Sequence, residues 1–235
     1  MSNKILLDVV CGSKSFNLQT KHSDTDRVIV SNSPILYYRK HDDFGRDILN
    51  FMASPYLSYF YCPAKIDMVI QGFTPYEIIT PTAASHLLTD TSEDWPRANA
   101  PFIYSSYLSK AENIFALFDT EYGICTPKRH MFIARLLWTL SEYANTSNWL
   151  QAHRVSDEKR DFFLDIRLRR LSKEETYDRI NNLLIKAKAA APFYDRPIDK
   201  KFNNFFISEM CEKLDIDRVE MLSKFDFLSN FCYNI

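Results

Sequence analysis

Two aspartates near the N-terminus have the spacing of a pair of metal ligands. Asp24 and Asp26 are separated by one residue, and Asp26 begins the predicted strand 26–30. On an extended strand, residues i and i+2 project from the same face, so the two carboxylates would lie side by side. Neighbouring anions repel each other unless a cation lies between them, and hard oxygen ligands of this kind suit Mg²⁺. The pair therefore predicts metal-assisted chemistry, in which two ions hold the attacking and leaving oxygens of a phosphoryl or nucleotidyl transfer.

A turn of small residues lies upstream of this acidic pair. Gly12 and Ser13 follow the apolar segment 4–10, and ten residues separate Ser13 from Asp24. Because Gly12 has no Cβ, phosphate oxygens can approach the main chain closely, and Ser13 adds a hydroxyl and a backbone N–H as donors. We expect a triphosphate to lie between this turn and the two aspartates.

The joint pattern resembles the signature of the DNA polymerase β-like nucleotidyltransferase superfamily. That signature is a hydrophobic residue, Gly-[Gly/Ser], a spacer of about nine to thirteen residues and then [Asp/Glu]-x-[Asp/Glu]. Segments 11–13 and 24–26 match it here. The sequence is more similar still to the stand-alone predicted nucleotidyltransferases of bacteria and phages, whose Gly-Ser-x-Ala-Tyr-Gly-like start and Ser-Asp-x-Asp-x-Arg-Gly-Val-like continuation resemble segments 12–17 and 23–28.

The sequence departs from that family pattern at two positions. Asn17 replaces the second glycine, an exchange that is tolerated where the backbone is left-handed, and the glycine after Arg27 is missing. Further along, segment 41–51 resembles the family's third-carboxylate segment, and segment 54–56 resembles its Asn-Pro turn. Segments 127–137 and 163–167 resemble its helical tail.

The resemblance implies a site for a nucleotide and a metal ion. It implies transfer of a nucleoside monophosphate from a triphosphate, with ATP as the expected donor and Mg²⁺ or Mn²⁺ as cofactor, to an acceptor hydroxyl with release of pyrophosphate. In this family a third carboxylate completes the metal site; Asp42 fits best, with Asp43 and Asp67 as alternatives. For Arg27, an ion pair that stabilises the fold is an equal alternative to a role in the site. The catalytic and metal-binding candidates are Asp24, Asp26 and Asp42, and the nucleotide-binding candidates are Gly12, Ser13, Lys14, Ser23 and Arg27.

The acceptor is not defined by the sequence. A transfer RNA end, another RNA, a small molecule and a protein side chain all stay open. Residues 153–201 hold 13 Lys and Arg against 9 Asp and Glu, which tilts the choice slightly towards nucleic acid, although a solvated helical face explains these charges at least as well. The alternative function is a non-catalytic module on the same scaffold that binds a nucleotide, an RNA or a partner protein.

Composition excludes several other classes of protein. With 4 Gly, neither a dinucleotide fingerprint nor a phosphate-binding P-loop can be written from this sequence. The 5 Cys are widely spaced without a Cys-x-x-Cys pair, so a disulfide framework or a structural zinc site is not expected. We expect no membrane partner and a cytoplasmic location, which would be the host cytoplasm if the phage-like composition reflects a phage origin. Oligomeric state is not readable.

The hydrophobic pattern predicts an α+β fold, and the resemblance adds that a small mixed sheet forms a nucleotidyltransferase core. Strands are expected at 4–10, 26–30 and 35–39, and a short helix over 43–53. From residue 107 the pattern becomes helical, with Thr126 and Pro127 opening one helix and a capping box at 172–175 opening another, which reaches about residue 190. Residues 200–231 are expected to supply two short helices. The domains expected are 1–100, the nucleotidyltransferase core, and 101–235, a helical domain.

Three further groups of residues have structural explanations that we favour over functional ones. The aromatic clusters at 56–61 and 202–206 could stack on bases, but core packing accounts for them more simply. Lys128, Arg129, His130 and Arg135 could contact phosphate, but ordinary surface charges are the favoured interpretation. Cys11 is expected to be an inert strand cysteine and not a nucleophile.

Overall fold

The structure is a computed structural model that describes residues 4–21, 23, 25–31, 37–41, 47–62, 65–118, 126–217 and 219. Its contacts divide the chain into two compact units. Unit 1 consists of Met1–Ala98 with Asp199–Ile235, and unit 2 is Asn99–Ile198. The division expected from the sequence placed everything after residue 100 in one domain, whereas the described residues from Asp199 onward belong with the N-terminal part.

Unit 1 contains a mixed five-stranded sheet with the order β3-β4-β2-β1-β5. Strands β2 and β4 are parallel, and the other neighbours are antiparallel. The α+β class expected from the sequence is confirmed. The strands are β1 Ile5–Cys11, β2 Asp26–Ser31, β3 Tyr37–His41, β4 Asp47–Met52 and β5 Glu77–Thr80.

The predicted helix over 43–53 is wrong. Asp47–Met52 is strand β4, whose backbone pairs with β2 on one side and β3 on the other. A short apolar run fits either a helix or a buried strand, and pairing on both sides favours the strand. The helix begins only at Ala53 and includes Pro55, which its first turn accommodates because the first N–H groups of a helix have no intrahelical partner.

Helices make up most of the rest of the described chain. None of them, within the part of the chain that the structure describes, is both long and apolar enough to cross a membrane. A single 3₁₀ turn covers Ile70–Phe73. The α-helices are α1 Ala53–Tyr59, α2 Ile66–Val69, α3 Ala83–Asp90, α4 Asp94–Ala98, α5 Ala100–Phe115, α6 Pro127–Thr146, α7 Trp149–His153, α8 Asp157–Arg167, α9 Lys173–Ala189, α10 Ala191–Tyr194 and α11 Lys200–Leu214.

An aromatic cluster forms the helical core of unit 1. Phe60 of α1 lies 5.4 Å from Phe73, 5.6 Å from Trp95 and 5.6 Å from Phe206 of α11, measured between ring centroids. All four rings are buried. The expected core packing of the two aromatic clusters is confirmed for Tyr56, Phe60, Tyr61 and Phe206. It is wrong for Phe205, which is exposed, while Tyr59 and Phe202 are half-buried. The contacts of Phe206 attach α11 to the rest of unit 1.

Unit 2 is built around α6. Helices α5, α8 and α9 all pack against it. Two predicted helix starts are confirmed: Thr126 is the N-cap of α6 with Pro127 at the first position, and Ser172 and Glu175 exchange capping hydrogen bonds at α9. The interpretation of Lys128–Arg135 as ordinary surface charges is wrong in part, since His130 and Arg135 are buried while Lys128 and Arg129 are exposed.

Candidate functional site

The small-residue turn and the second aspartate of the acidic pair lie in contact. Strands β1 and β2 pair antiparallel, with Cys11 opposite Asp26, which brings Asp26 beside the residue that follows β1. A Cβ placed on Gly12 would lie 1.8 Å from Oδ2 of Asp26, far inside van der Waals contact. The carboxylate therefore covers the Cα of Gly12, and this position accepts glycine alone.

The backbone of the turn is left-handed at two residues. Gly12 has φ of +70° and Asn17 has φ of 60°. The N–H of Leu18 donates to the carbonyl of Ser13 at 2.8 Å, and that of Asn17 donates to the carbonyl of Lys14 at 3.1 Å. Asn17 therefore has the left-handed backbone that was expected at this position, which Asn tolerates better than most other residues.

Gln71 fixes the turn from the 3₁₀ segment, and sequence reasoning did not find it. The N–H of Gly12 donates to Oε1 of Gln71 at 2.7 Å, and Nε2 of Gln71 donates to the carbonyl of Asp67 at 2.8 Å. Since 59 positions separate Gly12 from Gln71, no local pattern links them. Asp67, one alternative for the third carboxylate, thus lies in a helix connected to the turn through a single side chain.

Ser23 forms hydrogen bonds with Thr20 immediately before the acidic pair. Its N–H donates to the carbonyl of Thr20 at 3.0 Å, and its Oγ accepts from the N–H of Thr20 at 2.8 Å. Ser23 therefore closes a turn that leads into Asp24. Asp24 lies outside the described residues, as do Asp42 and Asp43.

Arg27 forms a structural ion pair within the sheet. Its Nε donates to Oδ1 of Asp8 at 2.6 Å, and its second terminal nitrogen donates to Oδ2 of the same carboxylate. Asp8 is 1% exposed, and Thr80 of β5 also donates to it, at 3.3 Å. The hydrogen bonds that Arg27 donates to Asp8 raise the pKa of Arg27 above its usual value. Of the two roles that the sequence left open, this geometry favours the structural one.

Cys11 is chemically inert where it lies. Burial raises the pKa of its thiol strongly, and the nearby Asp26 carboxylate raises it further. The side chain is therefore neutral, which agrees with the expectation that Cys11 is not a nucleophile.

The other two nucleotide-binding candidates, Ser13 and Lys14, belong to the turn itself. Ser13 is nearly buried, and the ammonium group of Lys14 lies 5.4 Å above the ring of Tyr76. Among the described residues, no group of three or more His, Cys, Asp or Glu side chains is placed to hold a metal ion. Asp26 supplies one carboxylate oxygen donor of the kind that Mg²⁺ prefers, and the other two predicted ligands lie in segments that are not described.

Comparison with protein-family models and with curated proteins finds no match for this chain. The resemblance to nucleotidyltransferases therefore rests on the residues of segments 11–17 and 23–28 and on the geometry that connects them.

Proposed function

We propose that this protein is a metal-dependent nucleotidyltransferase. It transfers a nucleoside monophosphate from a nucleoside triphosphate, ATP in the first instance, to an acceptor hydroxyl and releases pyrophosphate. The observation that carries the proposal is the contact between Asp26 and Gly12. A carboxylate held against a small-residue turn is what a metal-bridged triphosphate requires, because the metal ligand and the phosphate-binding turn must lie within one phosphate group of each other.

Each proposed residue has a defined task. Asp24, Asp26 and Asp42 hold the Mg²⁺ or Mn²⁺, which neutralises the charge that develops on the phosphate. Gly12 leaves room for the Asp26 carboxylate against the turn, and Ser13 and Lys14 contribute a hydroxyl and a positive charge for the phosphate. Catalysis then comes mainly from positioning and from charge neutralisation.

The first test measures pyrophosphate release from labelled ATP in the presence of Mg²⁺. Asp26→Asn keeps the shape of the side chain above Gly12 and removes its charge, so we expect loss of turnover with an unchanged unfolding transition. Asp24→Asn should behave in the same way. Asp90→Asn is the matched control, since Asp90 is exposed on α3. If Asp26→Asn turns over ATP at the wild-type rate, this site is not the catalytic one.

The same assay identifies the third carboxylate. Asn substitutions at Asp42, Asp43 and Asp67 should reduce turnover most strongly at one position, for which we propose Asp42. Loss of activity at Asp67 alone would assign the third ligand to α2 instead.

A non-catalytic nucleotide-binding module is the second candidate. Arg27 and the N–H of Gly12 are both engaged by other protein groups, so in either function the nucleotide would be held by other groups, such as Ser13 and Lys14. Isothermal titration with ATP separates the two functions. Binding that requires a divalent metal, followed by turnover, supports the enzyme, whereas metal-independent binding without turnover supports the module.

A further inference from the structure

A groove crosses the surface of unit 2 where two helices pack on a third. Helices α8 and α9 both lie against α6, and between them are two adjoining cavities of about 550 and 310 Å³. The cavities share four lining residues, so they form one continuous groove, called here the α6–α8–α9 groove. The shared residues are Trp138, Lys159, Leu183 and Lys186.

Three basic residues, Lys159, Arg179 and Lys186, line the groove against one acidic residue, Glu142, so the lining has an excess of positive charge. Lys159 enters it from α8 and Lys186 from α9, and neither forms an ion pair with any residue that the structure describes. By contrast, Lys188, two positions beyond Lys186, pairs with Glu112 at 2.7 Å, and Arg179 at one end of the groove pairs with Asp165 at 3.4 Å. Two unpaired ammonium groups that line the same cavities repel each other, and an anion between them would relieve that repulsion.

Flat apolar surface accompanies these charges. Trp138 lines both cavities, and its ring meets Phe163 at 6.0 Å with an interplanar angle of 80°. Phe162 lines the smaller cavity, where the guanidinium group of Arg179 lies 4.9 Å above its ring. Asn182 adds an amide to the same lining. Aromatic faces beside cations are the combination on which the bases and phosphates of single-stranded nucleic acids bind.

The net charge of unit 2 as a whole also favours the binding of an anion. Residues 99–198 contain 15 Lys and Arg and 12 Asp and Glu, a net charge of +3, whereas the complete chain carries −1. A polyanion is therefore attracted to unit 2 in preference to the rest of the molecule.

We propose that the α6–α8–α9 groove binds a nucleotide unit of a single-stranded nucleic acid. Its phosphate lies between Lys159 and Lys186, and its base packs against Trp138. The two cavities together have room for one nucleotide and the start of the next, and the groove is open to solvent so that a strand can continue past it. This binding requires neither ATP nor a metal ion, so it stands apart from the proposed catalytic function.

The test is a titration of the full-length protein with a fluorescently labelled single-stranded oligoadenylate, without nucleotide or divalent metal. The double variant Lys159→Glu with Lys186→Glu should bind about tenfold more weakly or worse, and its log–log salt dependence should be shallower by about 0.7, because the one phosphate between the two lysines contributes about 0.7 on a single strand. Both lysines are exposed, so the folded state should be retained. Lys128→Glu makes the same charge change as either single substitution, at an exposed lysine at the other end of α6, and should bind like the wild type.

A second readout locates the base. Trp95 and Trp149 are fully buried, so quenching of tryptophan fluorescence by the strand should come from Trp138 and disappear in Trp138→Phe, which keeps a ring in the core. The proposal is overturned if the wild type does not bind the strand, or if Lys128→Glu weakens binding as much as the double variant. It is also overturned if AMP binds but the strand does not, or if a poly-glutamate peptide competes as well as unlabelled strand.

Discussion

At Gly12, the backbone conformation and the space above Cα each require a glycine. A φ of +70° costs a residue with a Cβ about 1–2 kcal/mol, and the carboxylate of Asp26 already occupies the volume that a methyl group would need. The two costs are independent, because one belongs to the chain itself and the other to its neighbour on β2. They can therefore be separated experimentally.

Gly12→Ala should lower the free energy of unfolding by more than the cost of the positive φ alone, because the new methyl group also clashes with Asp26. It should also abolish any ATP turnover. In the background of Asp26→Ala, the same substitution should cost only about 1–2 kcal/mol, since the backbone strain remains while the clash is gone. Urea denaturation of the four proteins in this cycle measures the difference. Equal costs in the two backgrounds would show that Asp26 does not cover Gly12.

His153 gives unit 2 a pH-dependent stability. Its imidazole is fully buried on α7, and burial first, then the positive charge of Arg135, lower its pKa well below 6.5. Below pH 6.5 the unfolded chain takes up a proton that the folded protein does not, so stability falls as the pH is lowered, by up to about 1.4 kcal/mol per pH unit for this one group. His153→Phe should flatten the profile between pH 6.5 and 5, as measured by urea unfolding at each pH. An exposed-site control, His86→Gln, should keep the wild-type slope.

Some residue-scale features were accessible from the sequence and others were not. The left-handed backbone of Asn17 could be expected from its residue type in a turn, because Asn adopts this conformation more readily than most residues with a side chain. The contacts of Gly12 with Gln71 and of Arg27 with Asp8 join residues 59 and 19 positions apart. They depend on which strands and helices become neighbours, and a motif does not specify that.

At the scale of elements, helix α11 is attached to unit 1 by the side of the helix that carries Phe206. Phe206 is fully buried in the aromatic cluster with Phe60 and Trp95, whereas Phe205, the preceding residue, is 52% exposed. The two residues have the same side chain and are neighbours in the same helix, but one is buried and the other is exposed. They form a matched pair for measuring what attaches this helix.

Phe206→Ala should destabilise unit 1 by about 3–5 kcal/mol, since it removes a ring from a packed core and leaves a cavity. Phe205→Ala should change stability by about 0.5 kcal/mol or less, because its side chain is largely in water. Chemical denaturation followed by far-ultraviolet circular dichroism makes the comparison. Similar effects for the two variants would mean that α11 is not held by this cluster.

The sequence predicts elements that begin with a helix cap, because a cap involves residues within one helical turn. It does not predict a strand whose conformation depends on pairing with strands elsewhere in the chain. The starts of α6 and α9 follow from Thr126 with Pro127 and from the capping box at 172–175, which act within one helical turn. The apolar residues of β4 lie at 48, 49, 51 and 52, a spacing that predicts a helix and does not alternate as in a half-buried strand. The pairing of β4 with β2 and β3 cannot be deduced from the residues of β4 alone.

At the scale of the whole molecule, unit 2 is an insertion in unit 1. The N–H of Asp199 donates to the carbonyl of Ala98 at 3.0 Å, so the chain leaves unit 1 and returns to it at adjacent points. The sequence shows a change to helical periodicity near this boundary but gives no sign of the return, because α11 has the same helical pattern as the helices before it.

Replacement of residues 99–198 by a short Gly-Ser linker should leave unit 1 folded, since a close pair of chain ends needs little linker to join it. Circular dichroism and a cooperative thermal transition would measure this. Residues 1–98 alone should instead lack that transition, because they lack Phe206. A linker variant that fails to fold while residues 1–98 fold would contradict the assignment of α11 to unit 1.

The position of Phe206 also has a consequence for biosynthesis. Translation delivers Phe60, Phe73 and Trp95 well before their last partner, which is still inside the ribosome when all of residues 99–198 have emerged. Domains fold as units while the nascent chain grows. We therefore expect the helical insertion to be native first, while the N-terminal part of unit 1 holds an uncovered aromatic face, open to chaperones, until α11 emerges.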